Sequence, residues 1–278
     1  MAGCVSVPLY PNLTADSMRQ VLEHSEATLA FIGKLDDWAS MAPGLPPGVA
    51  TISLPLHPQG RFDFSWDDLQ RSAPIQDDPK PAANQLATII YTSGTTGKPK
   101  GALLSHGNLI ANAIQGKAWV PQMGKQQERF LAALPIFHAY GMTTLCIFSI
   151  YLGAELILVP SPQMPLILDI VKKRTPTWLP GVPTLYQKIM DAAEEKDIDL
   201  SGIRNAFSGA ATLPVEIVER WETMTGGRLV EGFGMTETSP VLTANPMNGK
   251  HRPGYVGVPF PDTEVRIANP ENLDETQP

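Results

Sequence analysis

The stretch Tyr91-Thr92-Ser93-Gly94-Thr95-Thr96-Gly97-Lys98-Pro99-Lys100-Gly101 follows one apolar run, Thr88 to Tyr91, and precedes a second, Ala102 to Leu104. Its residue types point to a bound anion. Glycines let backbone N–H groups turn toward a charge and allow close approach. Hydroxyls on Thr92, Ser93, Thr95 and Thr96 add donors, and Lys98 and Lys100 add positive charge. That combination suits a polyphosphate. It is not a Walker A loop, which needs Gly-x-x-x-x-Gly-Lys followed by Ser or Thr. Here Thr95 and Thr96 alone separate Gly94 from Gly97, and Pro99 follows Lys98. A proline there blocks a helix from starting at the lysine, so the phosphates would meet a loop rather than a helix N-terminus. The plain alternative is a solvated hairpin loop.

Outward from this loop, short apolar runs alternate with helix-length amphipathic segments. Strands are expected at Gly3 to Val7, Thr28 to Ile32, Thr88 to Tyr91, Phe130 to Leu134, Glu155 to Val159, Thr177 to Leu179, Asn205 to Ser208 and Arg228 to Val230. Helices are expected at Ala15 to Ser25, Asn108 to Gln115, Met164 to Arg174, Thr184 to Glu194 and Pro214 to Thr225. Pro214 suits a first turn, and Gly226 with Gly227 suits a stop. Such alternation implies an α/β fold with largely parallel sheets. The Pro-, Gly- and Asp-rich stretch from Gly44 to Pro81 reads as an irregular excursion, with a short strand near Thr51 to Leu54 and an alternation of Phe62, Phe64 and Trp66.

Composition narrows the function. With 43% apolar and 18% charged residues the chain is globular. A net charge of −7 with no basic stripe argues against a nucleic-acid partner. Cys4 and Cys146 form neither a disulfide framework nor a zinc-site spacing, and fit a reducing cytosol. The stretch from Met142 to Val159 is too short for a membrane span of about 20 apolar residues. Broken by Gly153 and Glu155, it reads as a buried helix, Thr143 to Leu152, followed by a strand.

Three further segments carry candidate chemistry. In Glu231-Gly232-Phe233-Gly234-Met235-Thr236-Glu237-Thr238, Gly232 and Gly234 leave room for a flat ligand and Phe233 offers a ring face. Glu237 beside a hydroxyl suits Mg²⁺ on a triphosphate. Ser208-Gly209-Ala210-Ala211-Thr212-Leu213-Pro214 joins a strand to a helix through small residues. Leu134-Pro135-Ile136-Phe137-His138-Ala139-Tyr140-Gly141 places one histidine beside an apolar stretch, where a satisfied core residue is the commoner outcome. His24, His57, His106 and His251 carry no motif and read as structural or surface residues.

Together these segments resemble the adenylate-forming superfamily of acyl-CoA synthetases, firefly-type luciferases and peptide-synthetase adenylation domains. The resemblance runs from Gly3 to about Pro270. The wording at 229–240, at Leu179-Pro180-Gly181-Val182-Pro183-Thr184 and at 256–264 is most similar to bacterial long-chain fatty acid–CoA ligases. It implies stacked sheets with flanking helices, residues 1–84 being part of a first α/β subdomain and 85–278 the nucleotide- and acyl-binding part.

The implied roles fall on named positions. Thr92, Ser93, Gly94, Thr95, Thr96, Gly97, Lys98 and Lys100 would hold the ATP phosphates, and Thr236 would touch one of them. Gly209, Ala210, Ala211, Gly232, Phe233 and Gly234 would frame adenine, and Glu237 would position Mg²⁺. His138 would orient the acyl carboxylate, and Gly181, Val182 and Pro183 would line the acyl pocket. The family usually has Tyr where Phe233 stands. Losing one net hydrogen bond there costs about 0.5–1.5 kcal/mol, and the stacking surface remains.

The expected reaction is ATP-dependent activation of a long-chain fatty acid to the acyl-adenylate, then transfer to coenzyme A. The downstream segment, hinge and lid lysine of the family are not found in the chain, so weak nucleotide binding and little turnover are expected of it alone. An aryl-CoA ligase would share every motif, and a non-catalytic nucleotide-binding module or a structural fragment are further alternatives. A long-chain substrate makes peripheral membrane contact plausible, though no amphipathic basic helix argues for it.

Overall fold

The structure, a computed structural model, describes residues 3–74, 76, 80–92, 99–124 and 126–277. It divides into two units, residues 1–107 and 108–278.

In the first unit, Thr14 caps helix α1 (Ala15–His24) by accepting from the Ser17 N–H. Met18 and Leu22 on its buried face pack with Met41 of the short helix α2 (Trp38–Met41). Strands β1 (Leu29–Ile32), β2 (Ala50–Ser53) and β3 (Phe64–Ser65) form a parallel sheet. The 44–81 excursion is thus more ordered than its composition suggests. Its alternation of Phe62, Phe64 and Trp66 resolves into β3 followed by a helix, α3 (Trp66–Arg71). The reason is local: Ser65 and Asp68 form a reciprocal capping box. Hydrogen bonds from Ser65 push the Asp68 carboxyl down to about 2.

The segment at Gly3 to Val7 is not a full strand. It makes a single bridge, Ser6 to Thr88, against β4 (Leu86–Thr92). Strand β4 pairs antiparallel with β5 (Lys100–Ser105) in a hairpin whose connection is the glycine-rich loop. Residues 93–98 of that loop lie outside the described residues.

In the second unit, helix α4 (His106–Trp119) begins at the boundary and leads to β6 (Arg129–Ala132). A helix over 139–152 follows: α5 (Ala139–Gly141), wider π-type turns at Met142–Ile147 and α6 (Phe148–Leu152). Inside it Thr143 and Thr144 donate their hydroxyls to the carbonyls of Ser239 and Tyr140, competing with the regular ladder. Gly153, left-handed at φ 63°, ends it before β7 (Glu155–Leu158). Among the described residues no helix is long and apolar enough to cross a membrane.

Next come α7 (Met164–Arg174), β8 (Trp178–Gly181), α8 (Pro183–Glu195), β9 (Asn205–Ser208), α9 (Val215–Thr225) and β10 (Arg228–Gly234). Beyond them lie β11 (Val241–Ala244), β12 (Val258–Pro259) and a hairpin of β13 (Ile267–Asn269) with β14 (Asn272–Gln277). The large sheet runs β12-β11-β10-β9-β8-β6-β7, with β10 to β7 parallel and β11 and β12 antiparallel. Each crossover between parallel strands uses a helix, as such connections require.

Both sheet faces are buried. On one, Leu179, Ala206 and Leu229 pack with α7, α8 and α9, centred on Tyr186 and Trp221 in edge contact at 4.9 Å. On the other, Phe130, Trp178, Phe207 and Val230 meet α4 and the 139–152 helix. Polar clamps fix α4 there. Asn112 donates to the Val241 carbonyl (2.8 Å) and accepts from its N–H (3.2 Å). Gln115 donates to the Pro261 carbonyl, and Trp119 to that of Asn245.

Replacing Asn112 with Ala strips both backbone groups of the buried Val241 of their partner. We expect a loss of about 3 kcal/mol in stability, from the cost of two buried unpaired groups. Denaturant unfolding of wild type and variant measures it. A loss under about 1 kcal/mol would show that water or a shift of β11 replaces the clamp.

Candidate functional site

Parallel strands of an open α/β sheet expose their carboxyl ends to ligands. In the larger unit these ends carry most of the residues singled out from sequence. Strand β9 ends at Ser208, and the turn Gly209–Pro214 leads to α9. Strand β10 ends at Gly234, and a 3₁₀ turn, Thr236–Thr238, follows. Between them lies a cleft of about 260 Å³. Gly209, Ala210, Gly232, Phe233, Gly234, Thr236 and His138 all border it. Three segments separated by many residues therefore meet at one cleft.

The glycines are demanded first by the fold itself. A Cβ at Gly232 would come within 2.3 Å of the Phe207 ring, and one at Gly234 within 1.9 Å of the Pro240 carbonyl oxygen. The space beside them is thus filled by the protein, and the strand can pass only without side chains. Ala210 is held at φ 67°, the left-handed region that non-glycine residues rarely adopt. Phe233, 46% exposed, presents its ring at the rim.

His138 caps the helix that starts at Ala139. Its Nδ1 accepts from the Tyr140 N–H at 3.1 Å. That bond places the ring proton on Nε2, making it a donor. Burial lowers the pKa from its ordinary 6.5, so the neutral imidazole is favoured. Beside it, Tyr140 is buried and its hydroxyl lies 2.5 Å from the Phe207 carbonyl and 3.2 Å from that of Gly181.

Other positions fall elsewhere. Ala211 and Glu237 are exposed and lie one residue outside the cleft wall. Gly181, Val182 and Pro183 form the junction of β8 and α8 and border neither this cleft nor the apolar cavity described next. The Gly181 carbonyl accepts from Gly209 N–H, and a Cβ on Gly181 would press on Tyr186 at 3.0 Å. Thr92 and Lys100 belong to the other unit, facing each other in the β4–β5 hairpin. Ser93, Gly94, Thr95, Thr96, Gly97 and Lys98 lie outside the described residues.

Sequence reading did not single out Tyr140, Phe207, Met235, Pro240 or Val241, which complete the wall. Phe207 and Val241 also border a second, apolar cavity of about 40 Å³, walled by Trp119, Phe148, Trp178 and Phe260 among others. The aromatic residues were visible in the sequence, but nothing in their spacing brings them together.

A family model described as AMP-binding enzyme matches residues 1–278. Over 195 residues, 70% of this chain and 35% of the relative, the chain is 42% identical to the long-chain fatty acid–CoA ligase of Bacillus subtilis (strain 168). The crystal structure of a benzoate CoA ligase from Burkholderia xenovorans LB400 superposes with a TM-score of 0.84 at 26% identity, covering 100% of this chain and 54% of that one. ATP-bound MatB from Rhodopseudomonas palustris gives 0.82 at 28% identity, covering 99% and 53%. The chain thus spans about half the length of these solved structures, and its match spans about a third of the Bacillus protein.

The His138 cap predicts a pH effect. Because its folded pKa lies below 6.5, the unfolded chain takes up the proton first, and stability falls as the pH drops below that value. Protonation also turns Nδ1 into a donor facing the Tyr140 N–H. His138→Asn keeps a capping acceptor without titrating, so its melting temperature should fall less than wild type between about pH 7 and pH 5. Parallel curves for the two proteins would show that His138 does not titrate against this cap.

Proposed function

This chain belongs to the family of AMP-binding enzymes, and from that premise we propose that it supplies the nucleotide and acid site of an ATP-dependent acyl-CoA ligase. The observation that carries the reading is the cleft itself. Residues from 138, 209–210 and 232–236 converge on it, each from a segment whose composition suggests part of one ligand.

In this reading the adenine lies against Gly209 and Ala210 and meets the Phe233 ring. Thr236, at the far end of the β10 segment, offers its hydroxyl to a phosphate. In the other unit, Thr92, Lys98 and Lys100 are of the residue types that suit phosphate charge. The acid's carboxylate attacks the α-phosphorus of ATP, releasing pyrophosphate. Coenzyme A then displaces AMP to give the thioester. His138, held as the Nε2–H tautomer, donates to the carboxylate and orients it for attack.

The residues present suit a magnesium ion shared with the nucleotide. Glu237 is an exposed carboxylate next to Thr236, and among the described residues no cluster of three His, Cys, Asp or Glu offers a cage. Mg²⁺ is held in that way, by one or two carboxylates plus phosphate oxygens and water. When bound it would neutralise triphosphate charge.

For the acid we propose a long-chain fatty acid. The Bacillus relative, 42% identical over 195 residues, supports that choice. Peripheral membrane contact would follow from such a substrate. A second reading, an aryl acid, is favoured by the benzoate ligase likeness.

Hydrolysis-resistant acyl-sulfamoyl adenosines separate the two by calorimetry. Aliphatic acyl groups should bind more tightly as they lengthen, by about 0.8 kcal/mol per buried methylene, and more tightly than benzoyl. A benzoyl compound that outbinds every aliphatic one transfers the reading to aryl acids. No binding of any of them, nor of ATP, sinks the nucleotide-site proposal. Phe207→Ala removes part of the wall between cleft and cavity, and should favour the longest chain over shorter ones by about tenfold.

A further inference from the structure

Glu231 lies within the second motif but does not border the cleft. It is 6% exposed and burial raises its carboxyl pKa. Its side chain leaves β10 on the α9 side of the sheet, next after Leu229 on that face. There its Oε1 accepts from the Leu213 N–H at 3.1 Å. Leu213 is the end of the turn whose start, Gly209 and Ala210, walls the cleft. The other oxygen, Oε2, is buried with no partner. So is the hydroxyl of Ser208, which is fully buried. Ser208 is the register partner of Glu231 on the neighbouring parallel strand. Register partners project from the same face of strands about 4.8 Å apart. Two orphaned buried polar groups thus stand side by side, directly behind the cleft wall.

We propose that Glu231, backed by Ser208, is a positioning residue that holds the turn 209–213 in the shape of the cleft wall. The turn needs such a hold. Ala210 occupies a left-handed conformation that costs energy, so the free backbone would relax away from it. One carboxyl oxygen pins the end of the turn, and a rotation of the Ser208 side chain brings its hydroxyl to the other. The same carboxyl ties the turn to β10, so the two walls that flank the ligand, Gly209–Ala210 and Gly232–Gly234, share one anchor. Its consequence for affinity rests on the nucleotide reading given above; its consequence for the turn does not.

Glu231→Met keeps the side-chain volume and removes the acceptor, whereas Glu231→Gln keeps an acceptor for Leu213 and a donor for Ser208. Amide exchange of Leu213 in the ligand-free protein and the Kd for AMP are measured on both. In E231M exchange should quicken and AMP should bind about tenfold more weakly, the scale of one lost buried hydrogen bond. In E231Q both should stay within about twofold of wild type. If E231M does not fold, S208A decides, with a smaller change in the same direction expected at Leu213. Equal behaviour of E231M and E231Q, or unchanged Leu213 exchange in E231M or S208A, overturns the proposal. Wild type that fails to bind AMP while the exchange pattern holds supports the anchor and sinks the nucleotide reading instead.

Discussion

The carbonyl oxygen of Phe207 accepts from two buried phenols, Tyr140 at 2.5 Å and Tyr186 at 2.8 Å. They arrive from different helices, the one at 139–152 and α8. Burial pushes both phenols above their usual range, so each stays a hydrogen donor at any ordinary pH. Each hydroxyl also lies near a carbonyl of β8, Gly181 for Tyr140 and Leu179 for Tyr186. The carboxyl end of β9 is thereby fixed to β8 and to helices on both faces. Every wall of the cleft is then referred to that point: His138 through its neighbour Tyr140, Gly209 through the next peptides, and Gly232 through the Phe207 ring.

Central position in the sheet makes this fixing possible. Strands β8, β9 and β10 lie inside the sheet with a neighbouring strand on each side. Pro180 in β8 tests the rule, because a residue without an N–H is unusual in a central strand. Strand β6 pairs with β8 only at Phe130–Trp178, so beyond Trp178 the strand has a single close neighbour. The missing donor falls where the sheet has already begun to part. On the other edge of β8 the Gly181 carbonyl still faces β9, where it accepts from the Gly209 N–H and lies near the Tyr140 hydroxyl.

How much of this was legible in the sequence depends on the range of the interaction. Met164–Arg174 and Asn205–Ser208 are found where periodicity and apolar runs place them, because a buried strand and an amphipathic helix each write their own pattern. The parallel α/β architecture follows from their alternation. The α3 helix was missed although its capping box, Ser65 with Asp68, is local; the Pro-, Gly- and Asp-rich surroundings drowned a four-residue signal. The π-type turns at 142–147 could not be read, since they depend on Thr143 reaching Ser239, which is far along the chain. The same holds for the site. Motif residues announce themselves by type, as His138, Gly209 and Phe233 do, while Phe207 and Val241 look like any core residue until the sheet sets them between two cavities.

The glycines of the second motif show that a legible residue can carry an illegible reason. From composition, Gly232 and Gly234 make room for a ligand. In the fold that room is taken, by the Phe207 ring at one and the Pro240 carbonyl at the other. Any side chain at Gly232 would have to displace a ring that also lines the apolar cavity, and so would reshape the boundary between cleft and cavity. One at Gly234 would part β10 from the Pro240–Val241 segment, where the register already shifts. Alanine at either position therefore changes the cleft through the wall behind it. The small residues at this sheet edge are a packing constraint first, and the cleft is the shape that constraint leaves.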